Sequence, residues 1–199
     1  MIIDKWHAPI REAFERTMFA ATELQLVTTS PRIFIERAEL RISQGGPDKR
    51  WLGGTTNTQN GVSPVVYAST CARYTDKAAY LEFLAPGGNA HTYRKQVWAE
   101  AAQIAATGAW PHVEYYRICR DPDIGMFTSD DPLDHINAAM CHEVAHAVQH
   151  WEKHYQWGKS HGTDWSPHGT FWRETYRALR NELFNPWRNV EQLAANEEK

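Results

Sequence analysis

Two histidines four residues apart, His142 and His146, could act together on one metal ion. The segment between them reads His-Glu-Val-Ala-His, which is the pattern HExxH. On a helix, residues i and i+4 lie on one face, so two imidazoles with this spacing can hold a single Zn²⁺. Glu143, beside the first histidine, is placed to take a proton from a metal-bound water. The pattern therefore predicts a zinc centre with a glutamate general base.

The surrounding residues predict the helix that this pattern requires, within the segment 131–155. At about 100° per residue, one continuous apolar stripe is formed by Leu133, Ile136, Met140, Val144, Ala147 and Trp151. His142 and His146 lie nearly opposite this stripe, with His135 aligned behind them. Asp131 can cap the helix, and Pro132 suits its first turn. We expect this helix to lie between a core and a cleft.

A catalytic zinc usually has three protein ligands and leaves one position for water, so a third ligand is needed. The pattern HExxHxxGxxH is excluded, because Gln149 and Glu152 occupy its glycine and third-histidine positions. His150 and His154 continue the four-residue spacing, but each step adds about 40° of rotation around the helix. A rigid helix cannot direct all of these side chains at one ion. We interpret His150 and His154 as solvated or locally hydrogen-bonded.

Several candidates for the third ligand follow the predicted helix. His168 is preferred, because it opens a second predicted helix and lies close to that helix's inward stripe. This stripe is formed by Trp172, Tyr176, Leu179 and Leu183. His161 lies in a loop. Asp164 is a further candidate, since some HExxH enzymes use an aspartate in a loop containing Gly-Thr. Glu174 is a fourth candidate, but it points well away from the His168 direction.

The segments HEVAH (142–146) and PHGTFWRETYRAL (167–179) together resemble the SprT-like (Spartan/Wss-type) zinc metallopeptidases. In that family a third histidine opens a helix in an HGxxF/W-type motif, which residues 168–172 match. The resemblance covers about 131–184. It implies an α+β, zincin-like fold, in which a small β-sheet packs on helices that include an HExxH active-site helix. It also implies one Zn²⁺ per chain, held by His142, His146 and His168.

The chain departs from the family pattern in two respects. No four-cysteine zinc ribbon follows the predicted catalytic region, so the nucleic-acid-binding accessory common in the family is missing. Residues 70–125 are longer than a minimal family core and are interpreted as an insertion with an added helix at 93–107. We expect residues 1–199 to form a single domain, with a flexible tail at 189–199.

Composition limits the class of protein. A chain of 199 residues is long enough for one domain with a substantial core. Its net charge of −3 does not indicate binding to nucleic acid or to an anionic membrane. No run of about 18 apolar residues and no charged-then-apolar leader is present, so no membrane partner is expected. Three cysteines without a CxxC pattern favour reduced thiols in a cytoplasmic protein.

Local patterns predict the remaining elements. Helical spacing predicts a helix at 9–26, and the glycine-rich segment 45–61 is expected to be a loop or a loose hairpin. A phosphate-binding loop is rejected there, because GxxxxGK[ST] is absent. The segment 32–43 is predicted to form two short strands or one strand with a bulge. Further strands are predicted at 64–69, 80–85, 112–119 and 125–128.

Together these features predict a zinc-dependent endopeptidase, a hydrolase that cleaves peptides or proteins. Proteins associated with nucleic acids are candidate substrates. His161 and Tyr155 are candidates for a second oxyanion donor by position. A strand of unspecified identity is expected to hold an extended peptide. The alternatives are a non-catalytic zinc-containing binding protein and a factor recruited to DNA. For the latter, the candidate contacts form a stripe on the last helix, Arg173, Arg177 and Arg180, with Arg188 nearby.

Overall fold

The structure, a computed structural model, describes residues 5–44, 51–59, 61–70, 72–84, 95–114, 118, 120–156 and 163–184. The helices are α1 (His7–Glu23), α2 (Pro31–Glu36), α3 (Ala72–Thr75), α4 (Lys77–Leu84), α5 (Lys95–Ala106), α6 (Pro132–Gln156) and α7 (Thr170–Leu183). The strands are β1 (Glu39–Ser43), β2 (Leu52–Thr58), β3 (Gly61–Ser69), β4 (Pro111–His112) and β5 (Phe127–Thr128). The fold is therefore mixed α+β, as the sequence predicts.

The larger sheet has the strand order β1-β3-β2. β1 runs parallel to β3, and β2 runs antiparallel to it in a hairpin closed by the pair Thr58 and Gly61. Gly61 has a φ of 101°, a conformation that glycine adopts without steric cost. Among the described strands, β2 lies at an edge. The segment predicted as a loop or loose hairpin thus contains a strand from residue 52 onward, and residues 45–50 lie outside the described part.

Helix α6 is the centre of the molecule and packs against α1, α7 and the larger sheet. Its predicted apolar stripe is confirmed from Ile136 onward, since those side chains are fully buried. Leu133 is the exception at 45 % exposure, because the first turn extends past the core. The predicted cap is also present, as the Leu133 N–H donates to Asp131 Oδ1 at 2.9 Å.

The carboxyl end of α6 is tied to the loop that follows α1. Glu152 is fully buried, and its carboxylate accepts hydrogen bonds from the backbone and hydroxyl groups of Thr28 and Thr29 at 2.7–3.1 Å. The indole of Trp151 donates to the Thr29 carbonyl at 2.7 Å and packs edge-on against Phe34 of α2. A buried carboxylate satisfied in this way is a structural group.

Two segments predicted as strand are helical in the structure, one of them only in its first half. Residues 31–36 form α2, with Pro31 in its first turn, and only 39–43 of the predicted strand 32–43 is extended. The alternating Ile33 and Ile35 remain 39 % exposed, whereas Phe34 between them is fully buried, so the apparent strand pattern is not the buried face. The sequence predicts a strand at 80–85, but α4 covers 77–84, and Asp76 Oδ1 caps it by accepting from the Ala79 N–H at 3.1 Å.

The other predicted elements agree more closely with the structure. The helices predicted at 9–26 and 93–107 are α1 and α5, and the strand predicted at 64–69 lies within β3. The strands predicted at 112–119 and 125–128 are reduced to the short pair β4 and β5. Residues 115–117, 119 and 185–199, which include the predicted tail, lie outside the described residues.

Within the described ranges, every helix is too short or too polar to cross a bilayer. Cys141 on α6 is a buried free thiol, and its burial raises its pKa to about 12, so it stays protonated.

Candidate metal centre

Three histidines converge on one point beside α6. Nε2 of His168 lies 3.2 Å from Nε2 of His142 and 3.1 Å from Nε2 of His146. The three ligand atoms lie within 4.8 Å of one another. In a tetrahedral zinc site with Zn–N bonds of 2.0–2.1 Å, ligand nitrogens are about 3.4 Å apart. The imidazoles therefore fit a single ion of this size, and the expected convergence of His168 on the two α6 histidines is present.

Different elements supply the three side chains. His142 and His146 project from successive turns of α6, whereas His168 comes from the loop before α7. The prediction that His168 opens the helix is wrong by two residues, because α7 begins at Thr170 with Gly169 as its N-cap. His168 has a φ of 60°, in the left-handed region. Such a conformation is uncommon for a residue with a Cβ and is found preferentially at functional sites.

Asp164 holds the His168 loop in place. Its Oδ1 accepts from the backbone N–H and the hydroxyl of Ser166, and its Oδ2 accepts from the Thr170 N–H at 3.2 Å. The Ser166 hydrogen bonds and the Thr170 contact lower the pKa of this carboxyl. A Cβ on Gly169 would lie 2.5 Å from Asp164 Oδ2, so glycine permits this close approach. Asp164 thus bonds to backbone N–H groups on both sides of His168.

The other candidates for the third ligand are not part of this group. Asp164 caps α7, and neither it nor Glu174 belongs to the one cluster of potential metal ligands found among the described residues. His161 lies outside those residues. His154 packs edge-on against Tyr155, and His150 is exposed and does not belong to the cluster. His135 is fully buried, stacks on Trp110 and lies 2.9 Å from the Ser129 carbonyl through Nε2.

Trp172 forms the inner wall of the site. It is fully buried, and its ring centroid lies 4.7, 5.1 and 4.4 Å from those of His142, His146 and His168. Its indole also donates to the His142 carbonyl at 3.4 Å. Because a rigid indole contacts all three imidazoles, their orientations are determined by packing. The predicted inward position of Trp172, Tyr176 and Leu179 on α7 is confirmed.

Glu114 contacts the far side of His142. Its Oε2 accepts from Nδ1 of that imidazole at 3.0 Å, and its Oε1 accepts from the hydroxyl of Tyr176. Burial opposes the charge on Glu114, but the His142 charge and hydrogen bonds from His112 and His142 outweigh burial and hold its pKa well below the usual range. Sequence reasoning missed Glu114. The available signal was an acidic residue inside the aromatic run HVEYY.

His146 is partly buried, like the other two histidines of the cluster. Burial lowers its pKa to about 2, and the neighbouring charges of His142 and His168 act in the same direction. The imidazole is therefore neutral across the physiological range. Neutral imidazole is the form that binds metal.

Glu143 is positioned by the edge strand β2. It is 8 % exposed, and its Oε2 accepts from the Gly53 N–H at 2.7 Å. A Cβ on Gly53 would lie 1.7 Å from the Glu143 carbonyl oxygen, so the two backbones meet here without room for a side chain. Gly53 was also missed, although the Gly53-Gly54 pair is a signal of close backbone approach.

Replacing Gly53 with alanine is expected to separate β2 from α6. The overlap is with backbone atoms, which cannot rotate away, so the strand must shift and the hydrogen bond to Glu143 is lost. We expect a loss of about 1–3 kcal/mol in the free energy of unfolding, measured by denaturant titration. Gly54→Ala is the matched control, because its nearest neighbour would be His150 Cγ at 4.0 Å, an ordinary contact. Equal stability of the two variants would contradict this description.

The candidate oxyanion donor Tyr155 does not face the site. It lies nine residues after His146 on α6, which places it about 180° around the helix. Its ring packs instead against Trp151, on the core side of the helix. This position gives Tyr155 no support as an oxyanion donor, and the other candidate, His161, lies outside the described residues.

The arginines of α7 do not form one surface stripe. Arg180 is 3 % exposed and lies against the rings of Phe127 and Phe184, so it is unavailable to a nucleic acid. Arg177 is paired with Asp121 at 2.7 Å and Asp123 at 3.1 Å. Arg173 is exposed, and residue 188 lies outside the described ranges. The predicted stripe is wrong for Arg180, because this side chain points into the core.

Comparison with known proteins gives no match: no family model fits the chain, and no curated protein or solved structure is significantly similar to it. Its function is therefore inferred from its residues and their geometry.

Proposed function

We propose that this protein is a zinc-dependent endopeptidase of the SprT-like type with a zincin-like fold. The observation that carries the proposal is the convergence of His142, His146 and His168 through Nε2, with Glu143 on the same helix. Three imidazole nitrogens, one of them on a ring that is hydrogen-bonded to a carboxylate, suit Zn²⁺. An acid beside the first ligand has no role in a purely structural zinc site, so Glu143 favours the enzyme over a non-catalytic binding protein.

The proposed chemistry is peptide hydrolysis by an activated water. A bound zinc ion would lower the pKa of its water toward about 7 and polarise the scissile carbonyl. Glu143 takes the proton from the attacking water and delivers it to the leaving amine. The Gly53 N–H donates to one oxygen of the Glu143 carboxylate and so fixes the orientation of this side chain.

The strand β2 is the proposed peptide-binding edge. The Gly53 N–H points away from β3 toward Glu143, and backbone groups alternate in direction along an antiparallel strand. Those of Thr55 and Asn57 therefore face the same outer side. An extended peptide can pair with such an edge, which would bring its main chain beside the proposed general base. The substrate class that follows is an extended or unfolded polypeptide segment.

The metal content of the purified protein tests this proposal. We expect about one Zn²⁺ per chain by mass spectrometry, and little in His142→Ala or His146→Ala, since each loses a ligand. His150→Ala and His154→Ala are matched controls on the same helix and are expected to keep the metal. Cleavage of an unfolded protein such as casein should stop with a chelator and return with zinc. Full occupancy in the ligand variants would contradict the assignment.

The proposed setting is the cytoplasm. This proposal rests on the odd number of cysteines and on the absence of a CxxC pattern in the sequence. Nucleic-acid recruitment is not proposed, because Arg180 is buried and Arg177 is already paired.

A further inference from the structure

A buried polar network extends from the candidate metal centre into the core. It begins at Nδ1 of His142, the nitrogen that faces away from the other two histidines. Glu114 accepts from this nitrogen at 3.0 Å, and only 4 % of Glu114 is exposed. An ionised carboxylate at such a depth costs several kcal/mol unless it is well compensated. The groups around Glu114 therefore indicate what its charge is arranged to do.

The compensation comes from α7 and from His112 of β4, whose Nε2 lies 3.3 Å from Glu114 Oε1. Tyr176, fully buried, donates its hydroxyl to Glu114 Oε1. Burial, followed by the Glu114 charge, raises the pKa of Tyr176 well above its usual value, so the phenol remains a donor. Arg180, one turn further along, donates to the Tyr176 hydroxyl at 3.2 Å and to the Gly125 carbonyl at 3.3 Å.

The geometry distinguishes a positioning role from a simple ion pair. Glu114 lies 3.0 Å from His142 but 3.9 Å from Arg180, whose Nη1 is used by Tyr176 and by Gly125. A carboxylate placed mainly to neutralise an arginine would make the short, two-point contact that guanidinium groups favour. Here the carboxylate is oriented toward the imidazole, and the arginine acts through the phenol.

We propose that Glu114, held by Tyr176 and Arg180, is a positioning residue that fixes His142 as a ligand. The hydrogen bond to Glu114 requires a proton on Nδ1 of His142. The neutral imidazole then has no proton on Nε2, so the Nε2 lone pair faces His146 and His168. The negative charge also makes the imidazole a stronger donor toward a cation. This inference rests on the proposed zinc centre and adds the group that sets its affinity.

The test is zinc affinity, measured by competition with a chromophoric chelator at fixed pH. Loss of a partner that orients a ligand typically reduces metal affinity by about 10- to 100-fold. We expect a reduction of this size for Glu114→Gln, which keeps the shape of the side chain and removes its charge. Tyr176→Phe retains Glu114 but frees it to move, so its affinity should fall in the same direction by a smaller factor.

Glu152→Gln is the matched control, because Glu152 is an equally buried carboxylate on α6 but is bonded to Thr28 and Thr29. It is expected to lower the unfolding midpoint and to leave zinc affinity unchanged. A second measurement separates positioning from stability. In long-range ¹H–¹⁵N NMR of the zinc-loaded protein, the Nδ1 proton of His142 should shift in Glu114→Gln and stay in place in Glu152→Gln.

The outcomes separate this inference from the proposed function. If the wild type binds no zinc, the proposed function fails and this inference with it. If the wild type binds zinc and Glu114→Gln binds it equally well, only the role of Glu114 is overturned. Should Glu114→Gln fail to fold, Tyr176→Phe decides, since wild-type affinity in a folded Tyr176→Phe protein overturns the inference.

Discussion

Replacing Glu143 with glutamine is expected to reduce peptide hydrolysis by about 10²- to 10⁴-fold, the usual contribution of a general acid–base group. Glutamine has nearly the same shape, and its amide oxygen can still accept from the Gly53 N–H that now donates to Glu143 at 2.7 Å. It cannot take a proton from water. Because Glu143 is not one of the three converging side chains, zinc content should not change. The measurement is kcat on an unfolded protein substrate, beside metal analysis of the same sample.

Glu174→Gln is the control for this experiment. Glu174 lies exposed on α7 and is outside the histidine cluster, so its replacement should preserve both zinc and rate. A wild-type rate in Glu143→Gln would show that another group is the base. A simultaneous loss of zinc would instead assign Glu143 a structural role.

The second large effect is expected at His168. His168→Ala and His168→Gly both remove the imidazole, and we expect each to lose zinc affinity by more than the roughly 100-fold that follows loss of an orienting contact. The two variants should differ in stability. Residue 168 has a φ of 60°. Alanine at this position keeps an unfavourable left-handed backbone, whereas glycine adopts this conformation freely. The metal-free glycine variant should be more stable by about 1–2 kcal/mol.

Denaturant titration of both metal-free variants measures this difference, and chelator competition measures the affinity. Wild-type zinc affinity in either variant would remove His168 from the site. Equal stability of the two variants would mean that the loop relaxes to another backbone conformation once the imidazole is gone.

The sequence by itself determined α6. Its apolar stripe and its cap at Asp131 are local features, because residues that share a helical face are at most a few positions apart. The same periodicity on α7 placed Trp172 and Tyr176 inward, and it brought His168 to the correct side of the cleft. It did not predict the left-handed backbone at His168 or the capping role of Asp164, because both depend on the loop's own hydrogen bonds.

Short apolar segments were ambiguous from sequence alone. Residues 31–36 and 77–84 contain apolar residues in patterns that fit a strand as well as a helix. For residues 31–36, burial decided between a helix and a strand, since Phe34 packs against Trp151 while its isoleucine neighbours stay at the surface. A single sequence does not reveal which of several apolar residues will meet a partner so far along the chain.

Only the tertiary structure decided what surrounds the proposed reactive groups. Gly53 is 90 residues from Glu143, and Glu114 is 28 residues from His142. Such pairs carry no periodic signal, because their contact depends on how β2, β4 and α6 pack. Arg180 shows the same limit, since the sequence revealed its position on a helical face but not its buried contacts with the Gly125 carbonyl and the Phe127 ring. Periodicity determines which way a side chain points, and packing decides what it meets.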